Sequence, residues 1–388
     1  MEVKQIYSIM NSVSNEVLGK GDIINEDLTG LVDMGTEIFN ANAVDNYVNS
    51  LVNHIGKVVF VNRPYSGKVP SVLMDAWEFG SVLEKITADI PEATENDTWA
   101  LKDGQDYSQD IFHRPTVSAK FFNSRVTFEV PVSITERQVK DSFSNAEQLN
   151  GFVSMIYDAV DKSMTIKADA LIMRTINNMI GETVWADKAA FGAGTEYAKG
   201  STNRCVNLLK LYNEKFGQKL TADKAVTDGE FIRYATYVMG LYTDRMASIS
   251  TLFNVGGKPR FTGADRLHTV LLSDFANAAK SYLYSDTFNK EFVKLPAAET
   301  VAAWQATGKT YAFGDVSSID IKTSNKHAIK FGGILGVMFD RDALGVANLD
   351  KRVTSNYNAK AEFFNNYFKF DAGYFNDTNE NFVVFFVA

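Results

Sequence analysis

Ala303-Trp304-Gln305-Ala306-Thr307-Gly308-Lys309-Thr310 is the stretch whose residue types come nearest to nucleotide chemistry. In a phosphate loop, Gly-rich backbone amides cradle phosphates and a Lys reaches them, with a hydrophobic strand before the loop and a helix after it. Here Pro296 to Ala306 reads as a helix, Tyr311-Ala312-Phe313 as a strand or turn, and Ala303 replaces the first Gly. The expected structure is a helix ending at Gly308. Asp377, Asn379 and Asn381 alternate like the start of a calcium loop, but Phe382 replaces the turn Gly and Ala388 the closing Glu, so a polar turn between strands is expected. His54, His113, His268 and His327 lie far apart, with no second ligand at helical spacing. Asp103, Asp106 and Asp110 read as a solvated acidic loop. Asp340-Arg341-Asp342 follows a strand, where a carboxylate can serve catalysis and an ion pair or intersubunit contact explains it equally. No group of residues demands an enzyme, and neither a metal nor a cofactor is expected.

The 388 residues are enough for a sizeable core. Hydrophobic residues at 45% and charged residues at 22% exclude a disordered or fibrous chain. Lys and Arg number 39 against 47 Asp and Glu, a net charge of −8, which argues against coating nucleic acid by phosphate neutralisation. Cys205 is the single cysteine, so no internal disulfide forms and a reducing compartment is expected. Met1 to Ile6 lacks the pattern of a signal peptide, and the apolar stretches Phe331 to Phe339 and Phe382 to Ala388 fall short of the ~20 residues that cross a bilayer.

Aromatic residues reach 12%, with 28 Phe, eight of which fall between Phe363 and Phe386. Such a segment is a set of core strands or an interface. Upstream, the first fifty residues read as a polar arm with short helical pieces, one of them at Asn42 to Ile55. Val58 to Val61 reads as a strand, and Ala119 to Pro131 as a second, long one. Together they predict a long, decorated hairpin. Two strands alone are marginal, so such an arm should lie on something else. Asn145 to Ile180 carries the strongest helical signal, with Leu149, Phe152, Val153, Ile156, Val160 and Met164 near one face. It should span on the order of 50 Å and stop at Gly181. Further helices are expected at Cys205 to Phe216, Asp228 to Met246 and Leu271 to Tyr284, and a strand at Ile334 to Phe339. Ala361 to Phe370 and Asn381 to Val387 read as two closing strands, joined through turns at Asp371-Ala372-Gly373 and Asp377-Thr378-Asn379.

This order of parts resembles the major capsid protein of tailed bacteriophages, the Hong Kong 97 type. The closest wording is Gly332-Gly333-Ile334-Leu335-Gly336-Val337-Met338-Phe339-Asp340-Arg341-Asp342-Ala343-Leu344-Gly345, then Asp350 to Ala359 and the Phe-rich end. The resemblance covers nearly the whole chain in layout and the last third in wording. It implies an α+β fold. Its parts would be an N-terminal arm at 1–56, an extended hairpin loop at 57–130 and an axial domain at 225–339. A peripheral domain would occupy 131–224 and 340–388, with a spine helix at about 145–180. The expected interface residues are Tyr65, Lys68, Trp77, Phe79, Trp99, Tyr107 and Arg125, since aromatic side chains and Arg anchor interfaces.

The implied function is a non-enzymatic shell subunit, forming hexamers and pentamers around double-stranded DNA without sequence-specific contacts. A separate scaffolding protein, a portal and decoration proteins are the implied partners. The implied location is the virion, after assembly in the host cytoplasm, with no membrane involved. Some relatives cross-link a hairpin Lys to an Asn, for which Lys57, Lys68 or Lys85 would be donors and Asn356 or Asn358 acceptors. The rival readings are an encapsulin-like compartment and a soluble nucleotide-dependent enzyme using Lys309 and Thr310.

Overall fold

Continuous apolar runs become strands covered on both faces, and alternating runs become strands with one face turned outward. The computed structural model describes residues 11, 15, 16, 18, 19, 69, 72–74, 83–88, 90, 93, 95, 99–106, 116–135, 146–191, 200–286, 298–305, 310–361 and 363–388. They fall into two units, one of residues 1–76, 125–174 and 346–373, the other of 77–124, 175–345 and 374–388. The expected helix at Asn42 to Ile55 and strand at Val58 to Val61 lie outside the described residues.

The first unit holds a sheet of β1 (Leu73–Met74), β11 (Leu344–Asn358), β12 (Phe363–Asn376) and β4 (Arg125–Thr135), in the order β1-β11-β12-β4. β4 and β12 are antiparallel in unbroken register from Phe363↔Thr135 to Gly373↔Arg125. Pro131 lacks an N–H and is tolerated because β4 ends the sheet order. Phe368, Phe370 and Ala372 form the buried side of β12, with Phe370 packed at 4.9 Å on Phe128. The β11–β12 turn is an Asx turn: Asn358 Oδ1 accepts the N–H groups of Lys360 and Ala361 at 3.1 and 3.2 Å.

The second unit is built on a five-stranded sheet, ordered β5 (Cys205–Asn207), β13 (Phe382–Phe386), β10 (Ile334–Asp340), β6 (Leu267–Leu272) and β7 (Ala298–Val301). Phe385 and Phe386, being adjacent in a strand, point to opposite faces. Phe385 meets Tyr242 edge-on at 5.2 Å, and Phe386 meets Phe331 at 4.8 Å and Phe191 at 6.4 Å. Helices α2 (Leu208–Phe216), α3 (Gly229–Ala247) and α4 (Ser273–Asp286) accompany this sheet, after α1 (Ala146–Ala186) earlier in the chain. Buried Phe231, Met239 and Phe275 of α3 and α4 share one core cluster with Leu271, Met338, Val383 and Phe385. Asn207 caps α2 by accepting from Lys210 N, and Asp228 caps α3 by accepting from Phe231 N.

Several boundaries differ from the sequence reading. α1 is 41 residues, about 60 Å at 1.5 Å per residue, and runs through Gly181 to Ala186. Every residue from Thr175 to Val184 is buried, so packing carries the helix past the glycine. Cys205 to Asn207 opens as a strand instead of a helix because it pairs in parallel with Val384 to Phe386. Ala298 to Val301 is strand β7 instead of helix, since Glu299-Thr300-Val301 adds in parallel to β6. Phe313–Val316 is a single helical turn. The closing strands β12 and β13 do not pair with each other: β12 lies between β11 and β4, and β13 between β5 and β10. Asp371-Ala372-Gly373 is strand instead of turn. The stretch from Ala119 to Pro131 is two strands, because exposed Asn123 and Ser124 separate β3 (Val117–Phe122) from β4.

Candidate subunit-interface site

β3 pairs antiparallel with β2 (Leu83–Ala88), and their register sorts every side chain. Directly opposite residues share a face. Leu83↔Phe122, Lys85↔Lys120 and Thr87↔Ser118 form the half-buried inner face, while Glu84↔Phe121, Ile86↔Ala119 and Ala88↔Val117 form the exposed one. Ile86 and Phe121 are each 65% exposed, and Val117 is exposed with them. The hairpin therefore reverses the usual polarity. Lys85, Lys120, Thr87 and Ser118 turn inward beside Leu83 and Phe122, and Ile86, Val117 and Phe121 turn outward beside Glu84.

The inward polar face is satisfied by named partners. Lys85 Nζ donates to Asp377 Oδ2 at 2.9 Å, to Glu380 Oε1 at 2.7 Å and to the Asp342 carbonyl at 3.2 Å. These three bonds use all three ammonium donors. Lys120 Nζ donates to the other Asp377 oxygen, Oδ1, at 2.8 Å. Arg260 Nε lies 3.4 Å from Glu380 Oε1, so three cations meet two carboxylates. Thr87 and Ser118 hydroxyls are 3.0 Å apart, and Phe122 packs on Phe375 at 5.1 Å.

The acceptor turn is fixed by its own backbone. Asp377 N donates to Ala343 O at 2.7 Å and Glu380 N to Asp377 O at 3.2 Å, while Asp377 Oδ1 accepts from Asn379 N at 3.0 Å. Burial pushes the Asp377 carboxyl up, but the hydrogen bonds from Lys120 and Lys85 outweigh it and hold the group below the usual carboxylate range. Burial likewise opposes the charge on Lys85, and its bonds to Glu380 and Asp377 raise it above the ordinary lysine value. Both shifts favour the charged forms of Asp377 and Lys85 in this clamp.

Of the interface residues expected from sequence, Trp99 is 99% exposed in the β2–β3 connection, with Leu101 exposed nearby. Arg125 is exposed at the start of β4. Tyr65, Lys68, Trp77, Phe79 and Tyr107 lie outside the described residues. Lys85, expected from the resemblance only as one of three cross-link donors, lies in the clamp. Asp377 entered the sequence reading only as part of a polar turn, and Lys120, Glu380 and the outward Ile86, Val117 and Phe121 were not singled out as interface or clamp residues. The alternation in Val117-Ser118-Ala119-Lys120-Phe121 was the available signal.

Several of the other chemical candidates, where described, have structural partners. Ala306 to Lys309 lies outside the described residues, while Trp304 is buried and donates to Ile334 O at 2.9 Å. Asp340 and Asp342 both pair with Arg266, and Asp340 also accepts from Thr262 Oγ1 at 2.8 Å. His327 stacks on Trp185 at 4.2 Å with Nδ1 3.3 Å from Glu182. Among the described residues, no group of three His, Cys, Asp or Glu residues is placed to hold a metal. No described helix is long and apolar enough to cross a membrane.

The family model of the Phi29-like phage major capsid protein matches residues 8–386. The chain belongs to that family. No curated protein matches the sequence. Among solved structures, the capsid protein is similar to a chain in the structure of the head fiber and inner core protein gp22 of native bacteriophage P68. The TM-score is 0.51 at 7% identity, over 84% of this chain and 86% of that one. It is also similar to chains of the capsids of Staphylococcus phage Andhra and Cyanophage P-SCSP1u. The former gives a TM-score of 0.47 at 11% identity over 84% of this chain and 86% of that one. The latter gives 0.42 at 11% identity over 82% and 86%. A major capsid protein works in many copies of itself, and this gives the outward apolar face of the hairpin its context.

Proposed function

We propose that the capsid protein adopts the Hong Kong 97 type of fold and builds a closed shell of hexamers and pentamers around double-stranded DNA. In this reading the sheet β1-β11-β12-β4 belongs to the peripheral domain, α1 is the spine helix, and the five-stranded sheet is assigned to the axial domain, which takes β5 and β13 out of the peripheral ranges 131–224 and 340–388 expected from sequence. The protein acts through repeated contact and not through catalysis. Assembly takes place in the host cytoplasm, with a separate scaffolding protein, a portal and optional decoration proteins.

The observation that carries the reading is the reversed hairpin. An exposed two-stranded ribbon with Ile86, Val117 and Phe121 outward leaves apolar area that water does not favour, at roughly 25 cal/mol per Å2. Another copy of the chain is the partner present at the highest local concentration in a shell, and many such contacts add through multivalency. Exposed Trp99 and Arg125 are proposed as further contact residues. Tyr65, Lys68, Trp77, Phe79 and Tyr107 are proposed as contact residues on their residue type alone.

The test is electron microscopy and sedimentation of the chain expressed alone and with its scaffold, for wild type, Ile86→Asp and Phe121→Asp. Wild type should close shells only with scaffold, and the Asp variants should remain soluble, folded and unassembled. Shells formed normally by both variants would remove the hairpin from the interface. Correctly sized shells from the chain alone would remove the scaffold.

A further inference from the structure

Among the described residues, the inner face of the hairpin reaches the segment from Asp342 to Glu380 through Lys85, Lys120 and Phe122. Two of these three attachments are ionic. Among the described residues, the outer-face side chains of Ile86, Val117 and Phe121 are exposed and make none of these attachments. Two six-residue strands are marginal by themselves, so their orientation depends on what grips the inner face. The gripping turn is built in advance by Ala343 O, Asn379 N and Arg260 around Asp377 and Glu380. Asp377 is the centre of the grip: its side chain is 2% exposed and spends one oxygen on each lysine.

We infer that Asp377 and Glu380 are positioning residues for shell assembly, holding the β2–β3 hairpin at the angle in which its apolar face meets a neighbouring copy. The inference rests on the docking role proposed above and adds what controls it. An arm already ordered in the free subunit binds more tightly than one that must be ordered on contact, because the ordering cost is met before assembly. Neither carboxylate needs to touch the neighbour for this effect.

The experiment compares wild type, Asp377→Asn, Glu380→Gln and Lys120→Met by hydrogen exchange and by the protein concentration at which scaffolded assembly begins, read by light scattering. The expected result is exchange about tenfold faster at 83–88 and 117–122, with β10 and β13 unchanged, and an assembly threshold about tenfold higher. Lys120, whose side chain is 37% exposed, gives a milder change in the same direction and remains informative where loss of buried Asp377 prevents folding. Hairpin exchange equal to wild type in the variants that fold overturns the clamp. A loosened hairpin with an unchanged threshold overturns the positioning role. Ile86→Asp leaves the clamp intact, so insensitivity of assembly to that change refutes the docking surface separately.

Discussion

Lys85 and Lys120 face each other directly across the β2–β3 ladder, and each donates to a different oxygen of Asp377. Like charges in that position destabilise a sheet unless an anion lies between them. Their energies therefore cannot add independently. In a cycle of Lys85→Met and Asp377→Asn, the double variant should lose less stability than the sum of the single losses, with a coupling of about 1 to 3 kcal/mol. Urea unfolding checks this, and strict additivity would mean that the bonds contribute little.

The clamp also sets a pH window. Asp377 is held below the ordinary carboxylate value of about 4, so its stabilisation is present above that pH and is lost as pH falls through the lower folded value. Lys85 is raised above about 10.4, so its contribution is complete below that pH and disappears as pH rises through the higher folded value. Protection of the hairpin amides should be flat from about pH 5 to about pH 9 and should fall below about pH 4, ahead of β10 and β13. Hydrogen exchange across that range measures it, and a midpoint near pH 6.5 would transfer control to a histidine.

Phe385 and Phe386 give a prediction of a different kind. Both are fully buried, one against Tyr242 and the other against Phe331 and Phe191. Either Phe→Ala change should cost about 3 to 5 kcal/mol in urea unfolding of the free subunit. It should reduce soluble yield before it affects assembly. This is the reverse of Trp99→Ala, where a 99% exposed side chain leaves stability unchanged.

Periodicity made α1, α3 and α4 legible in the sequence, and the adjacent Phe385 and Phe386 already required cover on both faces of their strand. Partner choice was not legible. β12 and β13 read as neighbours because they are consecutive, yet β12 takes β4 and β13 takes β10, pairings set by long-range packing. Cys205 to Asn207 and Ala298 to Val301 are strands only because a sheet edge receives them. The interface aromatics drew attention through residue type, whereas the clamp joins Lys85 to Asp377 across 292 positions and leaves no local motif.

Gly181 shows how tertiary contact overrides a local signal. In an exposed helix Gly→Ala gains about 1 kcal/mol, and α1 runs straight through this position. A Cβ added there would lie 2.7 Å from Thr323 Cγ2 and 3.2 Å from Ile321 Cδ1. Thr323 cannot turn aside freely, because its Oγ1 accepts the His327 N–H at 3.0 Å and its backbone N–H donates to His327 O at 2.8 Å. The crowding should therefore exceed the helix gain, and Gly181→Ala should destabilise the free subunit by about 1 to 2 kcal/mol. Adding Thr323→Ser removes Cγ2 while keeping the hydroxyl, and should restore most of that loss in urea unfolding. A Gly181→Ala variant more stable than wild type would mean that β8 (Ile319–Lys322) and its following turn yield easily, and that the glycine is retained for a reason other than close packing.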